Sequence, residues 1–142
     1  MNSKFLVGTF AVVAFSFSSV ASAGVVVIVN PEVKATSLTE VDVREIYLGR
    51  TDMLPDGTKV APVDLAEGSA TRIPFLEKIV GKSEFQFRSF WTRQLFNGKG
   101  RPPRVVTSDA DVVRLVASEK GLIGYVDSKS ISPRVKVLLQ MN

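Results

Sequence analysis

Hydrophobic positions in this sequence follow two periods, and their alternation predicts a single α/β domain. Val25 to Val29 is an unbroken β-branched run, which predicts a central strand buried on both faces of a helix-covered sheet. Apolar residues then recur at helical spacing between Thr39, a good N-cap residue, and Gly49, which ends the helix. A second strand is predicted over 60–65, where Pro62 indicates an edge position or an irregular ladder.

Two consecutive helices are predicted in the middle of the chain. Pro74 fits a first helical turn only if Thr71 is the N-cap, so a regular helix is expected over about 72–80. Its predicted core-facing side chains are Ile73, Leu76 and Val80. A second helix runs from the cap Ser83 to about Phe96, with a predicted inward ladder of Phe87, Trp91 and Leu95.

The remaining pattern completes the order β-α-β-α-α-β-α-β-β. The last part of the chain is predicted to form a short strand at 105–106, a helix at 108–118, and two final strands at 122–126 and 135–139. Strands that alternate with helices are typical of the α/β class, with a largely parallel sheet.

The first 23 residues have the pattern of a signal peptide. Lys4 gives a positive start, Phe5 to Phe15 is mostly apolar, and Ala21-Ser22-Ala23 is a small-x-small cleavage pattern. The apolar run is shorter than the roughly 20 residues that a membrane-spanning helix needs. We therefore expect cleavage after Ala23, which leaves 24–142 as one periplasmic domain without a membrane anchor.

Composition excludes several classes of function. The chain has no cysteine and no histidine, which rules out disulfides, a cysteine-linked lipid, thiol catalysis and Ser-His-Asp triads. We therefore expect no catalytic residues, no metal site, no cofactor and no enzyme activity. The net charge of +4 (18 basic minus 14 acidic residues) favours small anions weakly, and an exported protein is not expected to bind nucleic acid.

The turn Gly68-Ser69-Ala70-Thr71-Arg72 is the candidate binding site. It joins a predicted strand to a helix start, where backbone N–H groups lack helical partners and the helix dipole favours negative charge. Two hydroxyls and a guanidinium lie in the same segment, which together would form a cradle for an anion. The alternative is an ordinary capped helix start, in which Ser69 and Thr71 serve only the backbone.

Three other groups have a structural and a functional interpretation. The corner Arg101-Pro102-Pro103-Arg104 is either a solvated loop or a contact for an anionic partner. The aromatic ladder of the second middle helix, Phe87, Phe90 and Trp91, is either core or the lining of a pocket. The acids Glu40, Asp42 and Glu45 are interpreted as a helix start and a solvated face rather than a metal site.

Five segments in order resemble the phosphate-binding proteins of phosphate ABC transporters. These segments are Ser37-Leu38-Thr39, Ile46 to Arg50, Asp56-Gly57, Glu67 to Arg72 and Gly121 to Val126. The resemblance implies a type II periplasmic-binding-protein fold, here a three-layer sandwich-like single lobe with a largely parallel sheet. It also implies that Ser69, Ala70 and Thr71 bind phosphate, with Gly68 shaping the turn.

The sequence departs from the family in two respects. Leu65 stands where the family has a phosphate-contacting arginine, and Ala70 replaces the second glycine of the turn. Family members are also more than twice as long, because they close two lobes over the ligand.

Two functions follow from these observations. The first is a solute-binding-type domain that binds a small oxyanion for transport or sensing, with phosphate as the leading candidate. The second is a protein-interaction or regulatory module that keeps the lobe fold and contacts an envelope transporter or sensor. A homodimer, in which two lobes face each other, would reconcile them.

Overall fold

The computed structural model describes residue 8, residues 11–14 and residues 24–141. Apart from residues 8 and 11–14, the predicted signal peptide and its cleavage site lie outside the described residues. The strands are β1 (Val25–Val29), β2 (Ala61–Leu65), β3 (Arg104–Val106), β4 (Leu122–Asp127) and β5 (Lys136–Met141). The helices are α1 (Glu40–Tyr47), α2 (Arg72–Phe75), α3 (Glu84–Phe96) and α4 (Asp109–Ser118); α2 passes into a π-helical segment, Leu76–Val80, and a 3₁₀ turn covers Ser128–Ser130.

The five strands form one sheet in the order β3-β2-β4-β1-β5. Strand β2 is parallel to both of its neighbours, whereas β1 is antiparallel to both β4 and β5. Four strands therefore point the same way and β1 is reversed, which confirms a largely parallel α/β lobe. All five residues of β1 are buried, and the strand lies inside the sheet as predicted.

Helices cover both faces of the sheet. A Cβ on Gly124 would lie 2.5 Å from Val112 Cγ1, so α4 packs against one face of β4. The next residue, Tyr125, stacks on Phe75 of α2 with ring centroids 3.7 Å apart. Because successive strand residues point to opposite faces, α2 lies on the other side of the sheet from α4. This confirms the predicted three layers.

Pro62 occupies a locally unpaired side of β2. The Ala61 N–H donates to Gly121 O, on the side of β4, at 2.8 Å. Alternation directs the Pro62 nitrogen to the side of β3, whose pairing with β2 begins only at Val63. The missing N–H therefore interrupts no hydrogen bond of the ladder, and the prediction of an irregular ladder is confirmed.

The buried face of α2 differs from the predicted one. Arg72 is 5% exposed and Ile73 is 38% exposed, so the inward stripe begins at the arginine and continues with Phe75, Leu76, Ile79 and Val80. The predicted inward positions of Leu76 and Val80 are confirmed, and that of Ile73 is wrong. The reason is that Arg72 pairs with the buried carboxylate of Asp64. This pairing turns residue 72, instead of residue 73, towards the core.

Helix α3 is attached to the rest of the fold by a narrow stripe. Its cap Ser83 accepts a hydrogen bond from Gln86 N–H as predicted, and Phe87 and Trp91 are buried. Leu95 is 52% exposed, so the predicted ladder ends one turn early. Among the described residues, no helix has both the length and the apolar character that crossing a membrane requires.

Candidate functional site

The turn between β2 and α2 directs two of its donors at a single anionic oxygen. Glu84 Oε1, from the first residue of α3, accepts hydrogen bonds from Gly68 N–H and from Arg72 Nη1, each at 2.9 Å. Gly68 has φ +82°, and no atom lies within 4 Å of the position of its absent Cβ. The turn therefore has an anion-binding geometry that opens outward, and a carboxylate of the same chain occupies it.

The other backbone donors of the turn have different partners. The Ser69 N–H donates to Ala66 O at 3.2 Å, and the N–H groups of Thr71 and Arg72 donate to Ser69 Oγ at 3.3 Å. Ser69, rather than the predicted Thr71, is thus the capping side chain, because its hydroxyl lies over the first N–H groups of the helix. The Ala70 N–H makes no hydrogen bond within residues 24–141.

Thr71 connects two helices instead of facing the turn. Its side chain has no capping hydrogen bond, and its Oγ1 donates to Asp109 Oδ2 at 3.3 Å. The same Asp109 oxygen accepts the Asp127 N–H at 2.8 Å. The Thr71 hydroxyl therefore joins α2, α4 and β4, and it does not converge with the donors at Gly68.

Beneath the turn lies a buried ionic cluster centred on Asp64. Arg72 Nε lies 3.2 Å from both carboxylate oxygens of Asp64, and Arg72 Nη2 lies 3.1 Å from Oδ2. The Tyr125 hydroxyl also donates to Asp64 Oδ1, and the Leu65 N–H donates to the same oxygen at 2.8 Å. A buried carboxylate is tolerated here because both of its oxygens accept hydrogen bonds.

The cluster shifts the pKa values of its members in consistent directions. Burial lowers the pKa of Arg72, but hydrogen bonds to Asp64 and Glu84 outweigh it and leave that pKa raised. Burial raises the pKa of Glu84, and the hydrogen bonds from Arg72 and Gly68 outweigh it, so the net shift is downward. Burial, with the nearby Asp64 charge, raises the pKa of Tyr125. At neutral pH the Arg72 cation therefore faces an ionised Glu84.

Two residues of this site, Asp64 and Glu84, were not among those predicted from the sequence. Asp64 lies in an apolar strand pattern, and an acid inside such a pattern is a signal for a buried partner. Glu84 follows a helix cap, where an acid is explained by the helix dipole alone. The structure brings Gly68 and Arg72 together as expected, and it holds Ser69 and Thr71 in capping and interhelical contacts.

An apolar cavity of about 330 Å³ adjoins the cluster, at the carboxyl end of β2. Helix α3 contributes Phe87, Trp91 and Leu95 to its wall, and the segment around β3 contributes Pro103 and Val105. This is the end of the sheet at which open α/β folds bind ligands. Of the aromatic residues considered in the sequence, Phe87 and Trp91 are both core and cavity wall, whereas Phe90 is partly buried against the core and does not line this cavity. No group of three or more metal-ligating side chains occurs among the described residues.

Comparison with known proteins shows the fold. No protein-family model matches the sequence, and no curated protein matches it either. Among solved structures, an ABC-type phosphate transport receptor from Vibrio cholerae matches 82% of this chain with a TM-score of 0.63 and 23% identity. A phosphate ABC transporter substrate-binding protein with bound phosphate from Clostridium perfringens matches 82% with a TM-score of 0.66 and 21% identity. PstS from Borrelia burgdorferi matches 82% with a TM-score of 0.60 and 17% identity.

This chain spans less than half of each of those proteins. It covers 45%, 44% and 46% of their respective lengths. The similarity establishes that the chain has the fold of part of a phosphate-type substrate-binding protein, as the resemblance of its motifs implied. Those neighbours are transport receptors and substrate-binding proteins, not enzymes.

Proposed function

We propose that this protein is an exported, periplasmic lobe of the solute-binding type. It binds a small oxyanion at the turn Gly68 to Arg72, and phosphate is the leading candidate for that anion. One observation carries the proposal: two donors of the turn converge on one carboxylate oxygen of Glu84. A phosphate oxygen in the same place would receive the same two hydrogen bonds. The bound phosphate of the Clostridium perfringens neighbour supports the choice of anion.

Binding proceeds by exchange of one anion for another. The Glu84 side chain is 26% exposed, so it can leave toward solvent, whereas Arg72 stays fixed by Asp64. A monoanionic oxyanion replaces the carboxylate without changing the charge at Arg72. The Ala70 N–H and the Ser69 hydroxyl hydrogen lie in the same turn as further donors.

The exchange limits the affinity. A side chain tethered to the site competes at an effective concentration on the order of millimolar or more. The ligand must exceed that competition, and a lone lobe leaves one side of it in water, where hydrogen bonds are weaker. We therefore expect weak binding in the wild type and tighter binding once the carboxylate is removed.

Calorimetric titration with phosphate tests this proposal. Glu84→Ala removes the internal competitor, and we expect its affinity for phosphate to exceed that of the wild type by about tenfold or more. Glu67→Ala is the matched control, because it removes the same charge one residue before the turn from an exposed pair with Arg88. A sulfate titration reports the selectivity for phosphate.

The decisive outcome concerns folded Glu84→Ala protein, verified by circular dichroism. Absence of heat with this variant at millimolar phosphate would exclude oxyanion binding at the turn. An equal gain in Glu67→Ala would show that general surface charge, and not release of the turn, governs the binding.

A protein-interaction module is the second candidate, and the apolar cavity favours it. Leu95 and Val105 line this cavity and are more than half exposed. Strand β3 is an edge of the sheet, with β2 as its one strand neighbour among the described residues. An extended segment of an envelope transporter or sensor would pair with β3 and place an apolar side chain in the cavity.

Site-specific photo-crosslinking in intact cells tests the second candidate. A crosslinker at Val105 is expected to give one discrete adduct, and one at the exposed Lys129, which does not line the cavity, is expected to give none. An adduct of twice the protein's mass would identify a homodimer instead of a heterologous partner. Equal labelling at both positions would count against the module.

A further inference from the structure

A second cavity, separate from the turn, lies at the opposite end of β2. Its volume is about 500 Å³, within the range of small-molecule sites. It is formed where α1 ends, where β2 begins, and where the chain passes from α3 to β3. None of its lining residues belongs to the turn or to the ionic cluster.

Four basic side chains and one acid line this cavity. The bases come from two connections that are distant in sequence: Arg50 and Lys59 lie between α1 and β2, and Lys99 and Arg101 lie between α3 and β3. The acid is Asp52. A protein with a net charge of only +4 thus concentrates a local charge of +3 (four bases minus one acid) at one opening. Bases contributed by separate segments surround a ligand, whereas a basic stretch of one loop does not.

The four bases differ in their ionic partners. Arg50 Nη1 lies 2.9 Å from Glu45 Oε1, and Lys59 Nζ lies 3.6 Å from Asp52 Oδ2. Both pairs are largely exposed, and such pairs contribute little, so an incoming anion can exchange with them. Within residues 24–141, Lys99 and Arg101 form no ion pair.

Trp91 provides the second observation. It lines this cavity and the apolar one, is 5% exposed, and has an indole Nε1–H with no acceptor among the described residues. The part of the indole that meets this cavity is its six-membered ring, whose atoms are nearest to Gly49 and Gly100. A ligand bound here would therefore change the surroundings of the indole ring. Gly49 lets the ring come this close, since a Cβ there would lie 2.7 Å from Trp91 Cη2.

We propose that this basic cavity binds a small polyanion, a molecule that carries two or more phosphate or carboxylate groups. A single anionic group would use only part of the charge, whereas several groups contact the bases of different segments simultaneously. Apolar atoms of Ile46, Val60 and Pro62 complete the walls and accommodate the carbon skeleton of such a ligand. The proposal is independent of oxyanion binding at the turn.

Titration of the protein with pyrophosphate and, separately, with citrate tests this inference. Trp91 is the only tryptophan of the chain, so its fluorescence reports binding at either of the two cavities that it lines, and the variants assign the signal to one of them. Sodium chloride of equal ionic strength serves as the blank. Lys99→Ala/Arg101→Ala removes two of the four bases. Lys78→Ala/Lys129→Ala removes the same charge from exposed positions outside the cavity.

We expect saturable binding of at least one probe to the wild type. The Lys99/Arg101 double variant should lose about tenfold or more in affinity, since two charge-assisted hydrogen bonds disappear. The Lys78/Lys129 variant should stay within about twofold of the wild type. Binding of pyrophosphate alone would assign a phosphorylated ligand, binding of citrate alone a polycarboxylate, and binding of both a general polyanion site.

Two results would overturn the inference. One is the absence of saturable binding of either probe to the folded wild type. The other is an equal loss of affinity in both double variants, which would mean that overall charge and not the cavity attracts the anion. Glu84→Ala separates the sites, because it should change phosphate binding at the turn and leave polyanion binding here unchanged.

Discussion

Asp64 determines what the surrounding residues can do. At 1% exposure its charge is stabilised by Arg72, by the Tyr125 hydroxyl and by the Leu65 N–H. The guanidinium of Arg72 is thereby held in the interior, with one edge directed at the turn. An arginine anchored in this way provides a fixed donor for an anion, although Asp64 already balances part of its charge.

Removal of Arg72 should be strongly destabilising. Arg72→Ala leaves Asp64 buried without a counterion, which typically costs about 3–5 kcal/mol of the free energy of unfolding. Arg88→Ala breaks an exposed pair with Glu67 and should cost no more than about 1 kcal/mol. Urea denaturation of both variants measures the difference. Comparable losses would show that burial of the cluster contributes nothing.

Glu84 should make stability depend on acid pH. Its pKa in the folded protein is lower than the ordinary value of 4.5, so the unfolded chain binds more protons between the two values. The stabilisation is complete above pH 4.5 and is lost as the pH falls through the folded pKa. Glu84→Gln should therefore be less stable than the wild type at about pH 7, and the difference should shrink towards about pH 3. A constant difference across that range would contradict this assignment.

At the same scale, the sequence revealed the donors of the site but not their partners. A turn with Gly68 and a basic Arg72 before a helix is visible as a local pattern. The carboxylates that meet them lie 16 and 8 residues away, on α3 and β2. Only the fold brings those segments together, and both acids have ordinary local explanations. The predicted capping residue, Thr71, was wrong for the same reason. Its hydroxyl donates to the distant Asp109, and Ser69 caps the helix instead.

At the scale of elements, β4 and α4 are in unusually close contact at Gly124. Gly121 precedes β4, and Gly124 lies within it. A Cβ on Gly121 would lie 3.9 Å from Lys59 O, which is an ordinary contact, whereas a Cβ on Gly124 would overlap Val112. Gly124 is therefore required by packing.

Gly124→Ala should destabilise the protein by about 1–3 kcal/mol, the usual cost of overpacking. Gly121→Ala is the control and should change stability by less than about 0.5 kcal/mol. In Gly124→Ala/Val112→Ala the deleted methyl groups make room for the new one. The double variant should then be more stable than the sum of the single losses, as thermal denaturation would show. Strict additivity would mean that the two residues do not touch.

The order of elements was predicted in full because each is defined by local pattern and by its cap. Ser83 and Ser108 begin their helices as expected, each accepting a backbone N–H three residues on. The inward face of α2 was mispredicted, because an apolar Ile73 was preferred to a charged Arg72. Hydrophobic periodicity cannot detect an arginine whose burial depends on a distant acid.

At the scale of the whole molecule, the sheet is completed by its first and last strands. The sequence predicted a buried β1, but it did not predict that β1 runs against β4 and β5, since strand direction depends on long-range pairing. The reversal places the start of the domain beside its end: Val25 pairs with Asp127 on one side and with Met141 on the other. The N-terminal strand is thus held by both neighbours.

This arrangement constrains where the predicted signal peptide would be removed. Val25 is 3% exposed, and the carbonyl of Gly24 accepts the Ser128 N–H at 2.8 Å. Cleavage after Ala23 leaves that hydrogen bond and the whole of β1 intact, whereas cleavage even two residues later removes a buried strand residue. We therefore predict that the exported protein begins at Gly24, which intact-mass measurement of periplasmic material would show.

A variant of the cleavage pattern makes this prediction sharper. Ala23→Phe places a large residue where signal peptidase requires a small one, so the precursor should accumulate with its N-terminal segment attached. Ala110→Phe introduces the same residue at an exposed position on α4 and should not affect processing. A mature terminus beyond Val25, or normal processing of Ala23→Phe, would refute the assignment. Since β1 lies between two strands, such a terminus would also remove the pairs of Val25 with Asp127 and Met141.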